Sequence, residues 1–226
     1  MKRYLKILII FICIAVLIGS AYIFWHESPI LPPTRYGNKT SRISLERQSF
    51  ETAISSSDAI AHIKVGNWLG EDEYFNYYEA TVVSQLKGEE IDNFVLIQDG
   101  TSEYTIGRYP LFTYGNEMLL FLMKSTDADY ENAYWILGSY TTVMDAVTSS
   151  TNEVYYMDRY GVMSETAENI NNIPQSSFAF GLFNKIGEQD PYITENRLFF
   201  NTYFYSEMDM KKLIDSILKE EGKYEK

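Results

Sequence analysis

Residues 110–123 read Pro110-Leu-Phe-Thr-Tyr-Gly-Asn-Glu-Met-Leu-Leu-Phe-Leu-Met123, a turn-rich approach followed by six consecutive apolar residues. A strand that is apolar on both faces has to be covered on both faces. The run from Met118 to Met123 therefore predicts a central strand, and the segments around it are expected to supply the cover. Six residues are far too few for a membrane-spanning helix.

Segments on either side of this run alternate between apolar and polar residues. The alternation predicts strands over residues 59–65, 77–86, 94–98, 134–137 and 154–157. Lys87-Gly88 and Asp99-Gly100 supply turns between the early strands, which is typical of an antiparallel meander. In the first strand Ala61 and Ile63 share the apolar face, so His62 is expected on the solvent side. Residues 66–76 are predicted to form an acidic loop, and residues 138–150 a Thr/Ser-rich connection.

Helical periodicity occurs at both ends of the strand-rich region. Residues 44–57 predict a short amphipathic helix, and residues 207–221 a longer one with a single apolar stripe. Ser206 and Asp209 resemble a capping box at the start of the second helix, and Gly222 is a suitable stop. No structure is predicted for residues 164–200.

The N-terminus carries a basic lead and then 19 residues without a charge, residues 7–25. Such a helix would be about 28 Å long, enough to span a bilayer once. Lys2, Arg3 and Lys6 precede the run, so the N-terminus is expected in the cytoplasm and the remainder outside. The alternative is a cleaved secretory signal, with the mature chain starting at Tyr22.

The domain organisation follows from these boundaries. Residues 1–25 form the anchor or signal, the Pro-rich residues 26–43 a tether, and residues 44–222 the extracytoplasmic domain. Cys13 is the single cysteine, so the domain has no disulfide, no Cys-ligated zinc and no thiol nucleophile. The net charge is −12, which disfavours nucleic acid and anionic lipid as partners. Acidity of this kind is more simply a solubility feature than the sign of a cationic partner.

The absence of their motifs excludes several classes of enzyme. The chain contains no Gly-x-Ser-x-Gly, no phosphate-binding loop and no dinucleotide fingerprint, and no cofactor is predicted. Asp127, Asp129 and Glu131 resemble the opening of a calcium loop, but Asn132 and Gly138 stand where a Gly and a bidentate Glu belong. Solvated loop acids are the simpler interpretation.

Aromatic residues are concentrated around residues 68–78. A binding surface for sugar or peptide could be formed by Trp68, Tyr74, Phe75, Tyr77 and Tyr78. The alternative is that these side chains pack one end of a barrel.

Four segments resemble a family of uncharacterised extracytoplasmic domains of Gram-positive bacteria. They are Ser57-Asp58-Ala59-Ile60 running into Val65-Gly66, Tyr78-Glu-Ala-Thr-Val-Val-Ser-Gln-Leu-Lys-Gly88, Pro110-Leu-Phe with Gly115-Asn-Glu-Met-Leu-Leu-Phe-Leu122, and Tyr134-Trp-Ile-Leu-Gly138. The resemblance covers about residues 45–160. It implies a mainly β (α+β) domain, a small antiparallel β-barrel of the OB or netrin-like type with flanking helices. These are strand and turn signatures, so they imply a fold rather than an activity.

Three functions remain open at this point. The first is a membrane-anchored module that binds a membrane protein or a cell-wall component. The second is a hydrolase of cell-wall polymer or peptide that uses paired carboxylates, and it requires two acids about 5 to 9 Å apart with one in an apolar setting. The third is a structural module without a ligand of its own.

Overall fold

The computed structural model describes residues 29–33, 39–41, 48–106, 109–126, 129–161, 163–164, 170–195 and 202–224. The strands are β1 Lys39–Ser41, β2 Ala59–Glu71, β3 Phe75–Lys87, β4 Asn93–Asp99, β5 Tyr104–Ile106, β6 Glu117–Lys124, β7 Ala133–Ile136, β8 Met144–Thr148, β9 Val154–Asp158 and β10 Phe204–Ser206. The helices are α1 Phe50–Ser56, a single 3-10 turn Ser139–Thr142, α2 Ser177–Gln189, α3 Pro191–Glu195 and α4 Glu207–Tyr224. Within these ranges no helix is both long and apolar enough to cross a bilayer. The predicted span over residues 7–25 lies outside them.

Five of the strands close into a barrel. β2, β3 and β4 form an antiparallel meander, β4 pairs in parallel with β7, and β7 pairs antiparallel with β6. The ring closes because β6 also pairs antiparallel with β2, from Leu122 opposite Ala59 to Glu117 opposite Lys64. The predicted mainly β domain with a closed barrel is therefore confirmed, but the expected antiparallel pairing is corrected at one place, because β4 and β7 run parallel.

Strand β6 contributes to two cores at once. Met118, Leu120 and Leu122 point into the barrel interior, while Leu119 and Phe121 point into a second core outside the barrel wall. All five side chains are fully buried. The prediction of a central strand covered on both faces is confirmed.

The second core lies between the barrel and an extension of its sheet. β8 pairs with β6, β9 with β8, and β10 with β9, and all three pairings are antiparallel. Helices α1 and α4 cover this sheet with Phe50, Ile54, Met210 and Ile214, among others. Burial of these apolar stripes explains why two amphipathic helices flank the barrel.

The start of α4 agrees with the sequence, but its end does not. The Oγ of Ser206 accepts a hydrogen bond from the amide of Asp209 at 3.1 Å, so the predicted cap is confirmed. The predicted stop at Gly222 is wrong, because the helix continues to Tyr224. A single glycine costs a helix only about 1 kcal/mol, which does not force it to end.

Residues 170–195, which the sequence left unassigned, supply α2 and α3. These helices cover the extension and form a third core with β8, β9 and β10. Its members include Val147, Met157, Ala179, Leu182, Ile186 and Phe204. The Oγ of Ser176 caps α2 by accepting a hydrogen bond from the amide of Ala179.

Two further expectations are corrected. The Thr/Ser-rich connection over residues 138–150 contains strand β8, whose buried Asp145 breaks the apolar pattern. The acidic loop over residues 66–76 is mostly strand, because β2 runs to Glu71 and β3 begins at Phe75. The long strands bend through register shifts between Val65 and Gly70, where the pairing is irregular.

His62 is not on a solvent-facing side. It does point away from the barrel interior, but the outer layer of β9 and α4 covers that face and leaves His62 only 2% exposed. Alternation within β2 identified the correct face of the strand. It could not show that a second layer covers this face.

Candidate binding surface

The turn between β2 and β3 is organised by Asp72. Its Oδ1 accepts hydrogen bonds from the amides of Tyr74 (2.7 Å) and Phe75 (2.9 Å), and its Oδ2 accepts one from the hydroxyl of Tyr77 at 2.5 Å. A carboxylate bonded to the amides two and three residues later is a standard way to fix a tight turn. The bond to Tyr77 also fixes one outward side chain of β3 relative to the turn.

The five aromatic residues predicted from the sequence separate into two groups. Tyr74 in the turn is 59% exposed, and Phe75 and Tyr77 lie on the outer face of β3. Trp68 packs against the barrel core and donates from Nε1 to Oδ1 of Asn76 at 2.7 Å. Tyr78 is fully buried in that core. Strand alternation explains the separation, since Tyr77 lies one position and Phe75 three positions before Tyr78, and odd spacings point to opposite faces.

Two more aromatic side chains, not singled out in the sequence, join the outward group. The ring of Trp135 meets that of Phe75 at 4.5 Å with an interplanar angle of 79°. The ring of Tyr130 lies 5.2 Å from that of Tyr77. Trp135 stands beside Ile97, which in turn stands beside Tyr77, so the group crosses β3, β4 and β7.

We call this group the aromatic face. Its members are Tyr74, Phe75, Tyr77, Tyr130 and Trp135. The parallel pairing of β4 with β7 creates it, and no local sequence pattern shows that pairing. The only signal in the sequence is the alternation of Tyr134 and Trp135, which predicts that one ring points inward and the other outward.

Exposed carboxylates adjoin Tyr74 and Tyr130 in the sequence, two before Tyr74 and one on each side of Tyr130. They are Asp72, Glu73, Asp129 and Glu131. None of them forms an ion pair with any residue in the described ranges. Burial, the hydrogen bond to Asp72 and the charges of Asp72 and Asp129 all raise the pKa of Tyr77. Partial burial acts to raise the pKa of Asp72, but the bonds from Tyr77 and the two amides outweigh it and lower that pKa.

The calcium hypothesis concerns the same loop. Asp129 and Glu131 are exposed, while Asp127 lies outside the described residues. Among the described residues, no three His, Cys, Asp or Glu side chains are grouped so as to hold a metal ion. The calcium site stays a prediction.

Buried carboxylates matter for the hydrolase hypothesis. Asp145 accepts from Nε of Arg159 at 3.1 and 3.2 Å, and both side chains are almost fully buried. Asp158 accepts from the amides of Gly161 and Ser164, both at 2.8 Å. These bonds hold the β8–β9 extension together, so the two carboxylates have structural partners.

A small cavity lies beside this buried pair. It measures about 20 Å³, which is room for about one water, and its lining includes Tyr109, Tyr140, Tyr160 and Phe112. The rings of Tyr109 and Tyr140 stack with centroids 3.4 Å apart. An organic ligand does not fit there, whereas Tyr74 and Tyr130 of the aromatic face are exposed and Phe75, Tyr77 and Trp135 are half-buried.

The comparisons with known proteins identify no relative. No protein-family model matches the chain, and neither the curated proteins nor the solved structures provide a match.

Proposed function

We propose that this protein is a membrane-anchored extracytoplasmic binding module, whose barrel is of the OB or netrin-like type and binds a protein or cell-wall partner on the aromatic face. The observation that carries the proposal is the contiguous, outward-facing group of five aromatic side chains. Aromatic side chains gather at binding surfaces because they bury large areas with few rotatable bonds.

The arrangement of the barrel supports the OB-like assignment. OB folds are five-stranded Greek-key barrels that bind ligands on the face of their second and third strands, between the loops that join strands one to two and four to five. The corresponding parts here are β3, β4, the turn at residues 72–74 and the connection between β6 and β7. Tyr74 belongs to the first of these connections and Tyr130 to the second.

The anchor and tether are proposed from the sequence. An uncharged run over residues 7–25 with Lys and Arg before it favours a single span with the N-terminus inside. Sequencing the N-terminus of the membrane-associated protein tests this. A start at Met1 or Lys2 is expected, and a start at Tyr22 would show that the segment is a cleaved signal.

Site-specific crosslinking in intact cells tests the binding surface. A photoreactive residue at position 74 of the full chain should capture a defined partner. The matched control is position 208 on α4, where Met208 is similarly exposed at 61%. Capture from position 74 and not from 208 supports the proposal. Equal capture from both positions, or no capture from position 74, overturns it.

A further inference from the structure

Resting on the proposed function, we infer that the partner segment that binds the aromatic face is a peptide carrying arginine or lysine. The inference depends on what surrounds the rings and on the shape of the surface. It does not depend on the overall acidity of the chain.

The rings themselves suit a cation. Tyr74 is 59% exposed and Tyr130 is 37% exposed, so both present ring area to an incoming side chain. A guanidinium or ammonium group over a tyrosine face is attracted by the electron-rich ring. Arginine also stacks flat on aromatic rings, which lysine does not.

The charge around the rings adds to this attraction. Asp72, Glu73, Asp129 and Glu131 are exposed, and no described basic residue neutralises them through an ion pair. Asp72 is held in place by three hydrogen bonds, so its negative charge is fixed beside Tyr77. A carboxylate next to a ring can accept two N–H bonds from a stacked guanidinium. Anionic polymers are repelled by the same group of charges.

The shape of the surface favours a peptide over a small amine. Tyr77 and Trp135 lie on strands separated by β4, so they are about 10 Å apart. An extended peptide rises about 3.3 Å per residue and its alternate side chains share one face, so cationic side chains two to four residues apart, about 7 to 13 Å, reach both Tyr77 and Trp135. Each of β3, β4 and β7 is already paired on both sides within the closed barrel. The peptide therefore binds through side chains on the face and does not add a strand to an edge.

Fluorescence anisotropy with the full chain in detergent micelles tests the inference. The probes are a labelled 12-residue peptide of alternating Gly and Arg, the same peptide with Gln in place of Arg, and a labelled neutral oligosaccharide of N-acetylglucosamine. The Arg peptide is expected to bind at least tenfold more tightly than the Gln peptide. Added salt should weaken it, because salt screens exposed charges.

Two sets of variants locate the binding. Glu73→Gln, Asp129→Asn and Glu131→Gln together remove three charges and leave the three hydrogen bonds of Asp72 unchanged. This triple variant should bind the Arg peptide at least fivefold more weakly. The matched control combines Glu51→Gln, Glu188→Gln and Asp215→Asn, three exposed acids on α1, α2 and α4. This control should change the affinity for the Arg peptide less than twofold. Tyr74→Ser should also weaken binding.

The outcomes separate the inference from the proposed function. If the Gln peptide or the oligosaccharide binds as tightly as the Arg peptide, and Tyr74→Ser weakens that binding, the inference of a cationic partner is wrong. The proposal that the aromatic face is the binding surface is then retained. If both variant sets reduce the affinity for the Arg peptide equally, the peptide is attracted by the overall acidity of the protein, and the inference is wrong. If no probe binds and position 74 captures no partner, both proposals are wrong.

Discussion

The Nε2 atom of His62 lies 3.6 Å from Oε2 of Glu117, beyond a hydrogen bond but within the distance of an ion pair. His62 is 2% exposed, and neither ring nitrogen has a hydrogen-bond partner among the described residues. Its ring packs edge-on against Tyr156 of β9 at 5.8 Å. The barrel wall and the outer layer therefore meet at a buried histidine.

The charged groups facing His62 come from three elements. Glu117 of β6 pairs with Lys64 of β2 at 3.6 Å, and Glu207 of α4 pairs with Lys211 at 2.7 Å. Burial lowers the pKa of His62, and the negative charges of Glu117 and Glu207 only partly oppose this. In the unfolded chain the histidine has its ordinary pKa near 6.5.

This difference predicts an acid-sensitive fold. As the pH falls through about 6.5, His62 binds a proton in the unfolded chain but stays unprotonated in the folded chain, because its pKa there is lower. The free energy of unfolding therefore falls as the pH falls. The melting temperature should drop between pH 7.5 and pH 5.5, before the carboxylates titrate. His62→Gln should flatten this part of the profile, while the control His26→Gln, which changes the other histidine, should leave it unchanged. Equal slopes for the original protein and His62→Gln would refute the assignment.

The contrast between His62 and β6 shows how far the sequence predicts the fold. Met118 to Leu122 are apolar on both faces, and a run of this kind has to be covered on both sides, so its central position was predictable. The outward face of β2 carries His62 and Lys64, and no local pattern shows that β9 and α4 cover it. Strand β8 was not predicted for a related reason. Its Asp145 can be buried because Arg159, which is 14 residues later in the sequence, pairs with it.

The binding face was predictable only in part. Tyr74, Phe75 and Tyr77 are close in sequence, and the structure keeps them together. Trp135 lies 60 residues after Phe75 and contacts its ring because β4 pairs in parallel with β7. Pairing of this kind depends on closure of the barrel, which is a property of the whole domain.

The two cores on either side of β6 predict a severe effect of charge in that strand. Leu120→Asp would place a carboxylate in the barrel interior, and Phe121→Asp would place one in the outer core. Both sites are lined by apolar side chains, so the new charge would be buried without a partner. Both variants should fail to fold, as judged by rapid proteolysis and loss of the circular-dichroism signal. Met123→Asp on the same strand is the control, because Met123 is 40% exposed and should tolerate the change. A folded, protease-resistant Leu120→Asp variant would contradict the central role of β6.

The Asp72 turn predicts a local effect. Asp72→Ala removes three hydrogen bonds at an exposed turn, so the free energy of unfolding should fall by only about 1 kcal/mol. The amides of Tyr74 and Phe75 should exchange with solvent deuterium several times faster, while the β6 amides should keep their rates. Glu73→Ala, which changes the neighbouring acid, is the matched control. Unchanged exchange at Tyr74 and Phe75 would show that the carboxylate does not hold the turn.

The Arg159–Asp145 pair predicts a larger, non-additive effect. Arg159 is 2% exposed, and its Nη2 lies 2.5 Å from Oδ1 of Asp145. Arg159→Met leaves the Asp145 carboxylate buried without its cation, which should cost about 3 to 5 kcal/mol of the free energy of unfolding. Adding Asp145→Leu removes the unpaired charge, so the double variant should regain a large part of that loss in urea denaturation. If the double variant is as unstable as the sum of the two single variants, the side chains act independently and the pair does not hold β8 to β9.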